Sequence, residues 1–309
     1  LFSIEGSYTN IVQENAKETD MNSYKILTDA TVDLPYDFAK EQNLEIIPME
    51  FTIDCQSFTF GGSDSIKSED FFALMRQGKI AHTSQINPIV YKKYFSKYLK
   101  EGIDIIYICF SSGLSGTLEN AKAAAEELQK QYPERKIYCV DSLCASAGEG
   151  LLAYGAAEQF RQGKGIDEVR HWLESYKLKV AHWFTVEDLE HLHRGGRVSK
   201  ATAIVGGALQ IKPVMNMDEC GRLISMEKLR GRAHSIQALA QKYAQTRDDT
   251  MSEVVFIAHG DCATEAEFLK GLVLNACPKA QVNIFPMGPI IGAHTGAGVI
   301  SLYFWAKER

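Results

Sequence analysis

Residues 103–117 read Ile103-Asp-Ile-Ile-Tyr-Ile-Cys-Phe-Ser-Ser-Gly-Leu-Ser-Gly-Thr117, and this stretch decides the fold. Ile103 to Phe110 is an almost continuous apolar run bounded by turn residues, which predicts a central strand covered on both faces. It feeds a loop of serines and glycines and then an alanine-rich helix to about Gln131. Ile137 to Val140 is the next strand, closed by Asp141-Ser142. Strand, glycine loop, helix, strand is the order of a parallel, doubly wound unit. Such sheets bind ligands at their carboxyl edge, where Ser111 to Thr117 fall.

Upstream, Tyr24 to Thr28 reads as the first strand, Pro35 as the opening of a helix to about Gln42, and Leu44 to Ile53 as one longer strand. A polar turn with Gly61 and Gly62 precedes a helix from Ser68 to Met75, for which Ser68 is the expected cap. A further helix begins at Pro88 and ends near Glu101-Gly102. Near Tyr176 the texture changes. A strand (Leu178 to Phe184), a helix near Val186 and the basic turn Arg194-Gly-Gly-Arg197 follow. Ile211 to Met217 and Arg222 to Leu229 flank Asp218-Glu-Cys-Gly221 as a hairpin. Strands at Val254 to Ala258 and Val282 to Phe285 enclose a helix, and the Gly288 to Gly298 loop precedes a last strand, Val299 to Trp305. The expectation is a two-domain α/β protein: residues 22–175 with a parallel Rossmann-like sheet, and residues 176–309 with a mixed sheet. Leu1 to Asp20 lacks an apolar h-region and a clean period, so residues 1–21 read as a cloning-derived or native disordered leader outside the fold.

Composition narrows the function. The 309 residues include 33 Lys plus Arg against 39 Asp plus Glu, a formal charge of −6, which argues against broad binding to nucleic acid or anionic membrane. No window approaches a membrane span. The seven cysteines are odd in number and scattered, and read as reduced, buried thiols of a cytoplasmic protein.

Three loops carry candidate chemistry. His82-Thr83-Ser84-Gln85 precedes the Pro88 helix and reads either as a Thr-Ser cap and turn or as part of a site. Ser111 to Thr117 converges hydroxyls on a predicted helix start, where free N–H groups favour an anion. It lacks the G-x-S-x-G spacing of a nucleophile elbow and the lysine of a phosphate loop, which leaves a carboxylate cradle or an ordinary strand-to-helix turn. His294 lies in the Gly288 to Gly298 loop, where small residues allow close ligand approach, and is either structural or functional. His191 and His193, two residues apart on a helix, do not form a metal pair, and no metal or cofactor is expected. The clusters Arg194, Arg197, Lys200 and Lys228, Arg230, Arg232 read as a solvated face or as a dock for phosphate or an acidic partner.

At these residues the chain resembles the DegV family, whose members bind long-chain fatty acids and include the lipid-binding subunits of bacterial fatty acid kinase. The resemblance spans Tyr24 to the C-terminus. It rests on the ordered motifs Thr28-Asp-Ala-Thr-Val-Asp-Leu-Pro35, Thr83-Ser-Gln85, Ser111 to Thr117, Val140-Asp-Ser142, Leu192-His-Arg-Gly-Gly-Arg197 and Gly292-Ala-His-Thr-Gly-Ala-Gly298. It implies a bound fatty acid such as palmitate, stearate or oleate. The carboxylate would be held by Thr83 and Ser115, with His294 beside it, and Arg197 and Arg230 would engage the ATP-binding kinase subunit and the acyl phosphate. The chain departs from the family pattern at Ala30 and Val32, where serines are usual, at Ala297, usually proline, and by Ile86-Asn87 before Pro88.

Elementary energetics agree with that role. Burying the roughly 14 methylenes of a palmitate tail at about 0.8 kcal/mol each offers an upper bound near ~11 kcal/mol. The carboxylate needs replacement donors, and the hydroxyls of Thr83 and Ser115, the Gly116 N–H and His294 are the expected ones. On this reading the protein presents a lipid and has no catalytic activity of its own. Two rivals stand beside it: a hydrolase or acyltransferase using Ser115 with His294, and a lipid-transfer or regulatory module without a kinase partner.

Overall fold

The computed structural model describes residues 24–204 and 210–309. The chain runs through β1 (Tyr24–Asp29), a 3-10 turn (Ala30–Val32), α1 (Tyr36–Glu41), β2 (Leu44–Ile47), β3 (Met49–Ile53) and β4 (Gln56–Phe60). Then come α2 (Ser68–Arg76), β5 (Ala81–Thr83), α3 (Pro88–Leu99), β6 (Asp104–Cys109), α4 (Thr117–Gln131) and β7 (Ile137–Asp141). Helices α5 (Ala147–Arg161) and α6 (Ile166–Tyr176) lead into β8 (Val180–Thr185), α7 (Glu190–Arg194), α8 (Lys200–Ile204) and the hairpin β9 (Ile211–Met217) and β10 (Leu223–Arg230). The chain closes with α9 (Arg232–Thr246), β11 (Val254–His259), α10 (Ala263–Ala276), β12 (Gln281–Pro286), α11 (Pro289–Thr295) and β13 (Ile300–Trp305).

Three sheets result. A four-stranded sheet in the order β2-β1-β6-β7 is parallel throughout, as the strand, loop, helix alternation predicts. A six-stranded sheet, β10-β9-β8-β13-β11-β12, is mixed: only β11 and β12 pair in parallel among its neighbours. The small antiparallel sheet β4-β3-β5 is not foreseen. It arises at Pro48, which lacks an N–H for the ladder and splits the single strand expected over Leu44–Ile53 into β2, paired with β1, and β3, turned to β4 and β5.

Helix α5 holds the two large sheets together. Its sequence, AGEGLLAYGAAEQFR, is small-residue rich and buried over ten positions, and it packs against β1 and β6 on one side and β8, β11 and β13 on the other. A helix apolar all round has no face to give to solvent. Strands β8 and β13 are buried at every residue, as central strands covered on both faces must be.

Local signals differ from expectation in several places. Ser68 lies inside α2, whose cap position is Lys67, and makes no capping bond. The start of α3 is capped by Asn87, whose Oδ1 accepts from the Ile89 N–H at 2.9 Å, so Thr83 and Ser84 are not its caps. Helix α7 starts at Glu190 rather than near Val186, because Asp188 accepts the Glu190 N–H at 2.9 Å. The glycine loop expected over Gly288–Gly298 contains α11, started by Pro289 and ended at Gly296 with φ 79°. All seven cysteines are free thiols, but Cys55 and Cys220 are exposed, not buried, because each sits in a hairpin turn.

Candidate functional site

A mostly apolar cavity, with about 970 Å³ of empty space counted to its mouth, lies between the parallel sheet, the small sheet and the six-stranded sheet. Five of the six sequence motifs put residues in its wall, among them Thr31, Thr83, Ser115, Arg197 and His294; Val140-Asp-Ser142 does not reach it, and Ser146, outside the motifs, does. The splitting of the chain at Pro48 matters here. Strand β3 pairs β5 with Phe51 opposite Thr83, and this carries the Thr83 hydroxyl to α11.

His294 is the hub. Its Nε2 lies 2.9 Å from Thr83 Oγ1, while its Nδ1 is buried without a hydrogen-bond partner among the described residues. Gly195 backs the ring so closely that a Cβ there would stand 2.3 Å from Nδ1, which is why the Gly-Gly turn has no side chain at that point. Burial, then the neighbouring Arg197 and His82 charges, push the imidazole down to about 4, so it is neutral at physiological pH. A neutral ring donating its Nε2–H to Thr83 Oγ1 frees the Thr83 proton for another oxygen.

Ser115 stands on the loop after β6. Its Oγ donates to Thr117 Oγ1 at 3.1 Å and accepts the Thr117 N–H at 3.3 Å, closing the first turn of α4. Gly116 is exposed and outside the cavity wall, although its N–H makes no hydrogen bond among the described residues. The Arg197 guanidinium reaches across from the turn after α7. Its Nε donates to the Leu114 carbonyl at 3.2 Å and its Nη1 to the Gly195 carbonyl. Burial pulls its affinity for a proton down, and no carboxylate pairs with it among the described residues.

Not every candidate joins the cavity. Arg230 is exposed at the end of β10, outside the wall. Its cluster is smaller than the sequence suggests, because Arg232 is committed to Glu265 at 2.7 Å, to Glu187 at 3.6 Å and to the Gly298 carbonyl. Ser115 and His294 do not pair as nucleophile and base: the imidazole faces Thr83 and the serine faces Thr117. Among the described residues no group of three or more His, Cys, Asp or Glu side chains is arranged around a metal, and no helix is long and apolar enough to cross a membrane.

Sequence reasoning missed the inner wall. His182 is buried and neutral; its Nε2 accepts the Ala145 N–H at 3.2 Å and its Nδ1 faces the Val180 carbonyl at 2.9 Å. Ser146 begins α5 with φ 55° and ψ −148° and donates to Asp33 at 2.5 Å. Beside it lie three buried acids, Asp29, Asp33 and Glu149, whose carboxyls burial pushes upward. The Val140-Asp-Ser142 motif flagged the approach to Ser146, but nothing local marks Glu149 inside an alanine- and glycine-rich helix.

Comparison with known proteins agrees with this architecture. Residues 23–307 match the model of the DegV family, described as uncharacterised proteins. A DegV domain-containing protein of Clostridium perfringens is 36% identical over 289 residues, covering 94% of this chain and 99% of its own. A DegV lipid binding protein from Thermotoga maritima shares the fold with a TM-score of 0.79 and 28% identity over 93% of this chain and 99% of that one. A second Thermotoga maritima protein, whose structure reveals fatty acid binding function, matches with a TM-score of 0.78 and 26% identity over 92% of this chain and 99% of that one. Matched from its first described strand to its last, this chain belongs to the DegV family.

Proposed function

We propose that this chain binds a long-chain fatty acid, with the acyl tail in the apolar cavity and the carboxylate at Thr83, Ser115 and His294. The observation that carries the reading is the set of donors at one end of the cavity. Two hydroxyls, a neutral imidazole and a half-buried guanidinium converge there, and no carboxylate of the chain pairs with that cation among the described residues. Such a set discharges the cost of taking a carboxylate out of water without requiring a fully buried ion pair. Fatty acid binding by similar proteins supports the same assignment. The exposed Gly116 N–H adds a donor at the mouth only if the head group projects that far.

On this reading the protein is a cytoplasmic carrier and not an enzyme. It presents the carboxylate of palmitate, stearate or oleate to an ATP-dependent kinase, which forms the acyl phosphate. Arg197 neutralises the incoming phosphate, and Arg230 contacts the partner from the rim. The division of labour follows the sheets, residues 22–175 supplying the hydroxyls and residues 176–309 the histidine and arginines. Reconstitution with a fatty acid kinase ATP-binding subunit tests the presentation step. Arg197→Glu with Arg230→Glu is expected to abolish acyl phosphate formation, and Arg230→Glu alone to lower it while acyl occupancy persists. Unchanged phosphorylation in that double variant contradicts the role of both arginines.

A further inference from the structure

Asp33 belongs to the first motif, yet it touches neither the expected head-group residues nor solvent: it is 2% exposed, with φ 49° in the left-handed region. Its two oxygens face opposite parts of the molecule. Oδ2 accepts from Ser146 Oγ at 2.5 Å, at the start of α5, and Oδ1 accepts the Gly288 N–H at 2.7 Å, at the start of α11. Ser146 lines the cavity, and α11 carries His294 within its second turn. Gly288 is held so close that a Cβ there would stand 2.8 Å from Asp33 Oδ1 and 2.3 Å from the Phe60 ring. Both Asp33 and Ser146 occupy backbone conformations that L-residues avoid, and such conformations persist only where surrounding contacts over-determine them.

We propose that Asp33 is a positioning residue for the head-group site: from the parallel-sheet side it fixes the start of the helix that presents His294 to Thr83, and it ties that helix to the inner cavity wall through Ser146. The ionised carboxyl accepts from both partners. The neutral acid, which burial favours by lifting the group to about 8, accepts from Gly288 and donates to Ser146 Oγ. Glu149 and Tyr303 are the titratable groups that feel its charge. The clamp therefore holds in either protonation state, and an amide at this position satisfies both contacts in the same way.

This inference rests on the fatty acid reading for its ligand, but not for its geometry. The test uses the full chain with Asp33→Ala and Asp33→Asn. The readouts are the His294 ring 15N resonances of lipid-free protein and the release rate of 13C-carboxyl palmitate. Asp33→Ala, which removes both hydrogen bonds of the clamp, is expected to move the His294 resonances and to speed release about tenfold, while Asp33→Asn leaves both close to wild type. A substitution to alanine that changes neither, or one to asparagine that changes both as much as alanine does, overturns the proposal. Should Asp33→Ala not fold, hydrogen exchange of the Gly288 amide in the unaltered chain decides: protection matching the interior of α11 is expected, and exchange at the rate of exposed loops contradicts it. If wild-type protein takes up no palmitate, the fatty acid reading fails while the His294 resonances still report on the clamp.

Discussion

Two polar regions adjoin the cavity, and they solve the same problem in different ways. In the interior, the Asp29 carboxyl accepts the Thr31 hydroxyl at 2.5 Å, the Thr31 N–H at 3.0 Å, the Tyr107 hydroxyl at 2.7 Å and the Phe110 N–H at 3.3 Å, with no cation in the set. At the cavity end, the Thr83 hydroxyl, freed by His294, and the Ser115 hydroxyl, which can turn from Thr117, are neutral donors of the same kind, with Arg197 beside them. The first region holds a carboxylate that the chain itself supplies. The second has the donors of such a nest, and the described residues bring no acid to it. A carboxylate held by hydroxyls and amides is therefore a solution this fold already uses once, which is the physical ground for assigning a fatty acid head group to the second.

Breaking the interior nest gives the largest expected effect. Asp29→Leu leaves four buried donors unpaired and is expected to cost on the order of 3–5 kcal/mol of stability, read from the urea midpoint. A loss below about 1 kcal/mol contradicts the nest. At the cavity end, Thr83→Val and Ser115→Ala each weaken lipid retention by roughly 1.5–3 kcal/mol in a displacement assay, while lipid-free protein loses only the roughly 1 kcal/mol of a neutral bond to His294 or Thr117, well below the loss in Asp29→Leu. That contrast, stability in one region and affinity in the other, is the sharpest distinction between them.

Titration separates them again. His294 has its folded pKa lowered from 6.5 to about 4, so the unfolded chain binds more protons between these values and the stabilising contribution of the neutral ring is lost as pH falls through that window. Asp33 has the opposite sign. Its folded pKa is raised from 3.8 to about 8, so its contribution is present at low pH and is lost as pH rises through that range. His294→Gln flattens the acid-side slope of stability against pH, and Asp33→Asn the neutral-side slope; equal slopes in variant and wild type contradict the assignment. A bound carboxylate returns His294 toward its ordinary value, which NMR titration of loaded protein reads directly.

The smallest effect concerns the shared proton. Thr31 Oγ1 lies 2.5 Å from Asp29 and 2.7 Å from Glu149 Oε2, and one hydroxyl proton serves only one of them. Burial pushes both acids up, and hydrogen bonds pull both back, four at Asp29 and those of Thr31 and Thr28 at Glu149; a proton on Glu149 that donates to Thr31 lets the one hydroxyl serve Asp29. Glu149→Gln reproduces that donor and changes stability by less than about 0.5 kcal/mol. A large loss places the charge on Glu149 instead.

The parallel sheet, the hairpin and the mixed sheet were legible because each is written in local periodicity. The run Ile103–Phe110, for example, is apolar wherever β6 is buried. The residues proposed for the head group stood out because their motifs sit at strand ends and helix starts, where a parallel sheet collects its loops. What was not legible depends on distant partners. Pro48 divides β2 from β3 because two different sheets claim the flanking residues, and α5 carries no amphipathic period because both its sides are covered. The clamp of Asp33 joins residues 113 positions apart to Ser146 and 255 apart to Gly288, so no spacing rule contains it. Arg232 reads as one more surface charge until Glu265 and Glu187 are seen around it.

The central claim is that the cavity holds one fatty acid by its carboxylate. Native mass spectrometry of the intact chain, before and after incubation with palmitate and oleate, tests it most directly. A single acyl adduct per chain that is retained in wild type and depleted in the Thr83→Val, Ser115→Ala double variant is the predicted result. A chain that carries no adduct and gains none, or a double variant that retains it undiminished, contradicts the account.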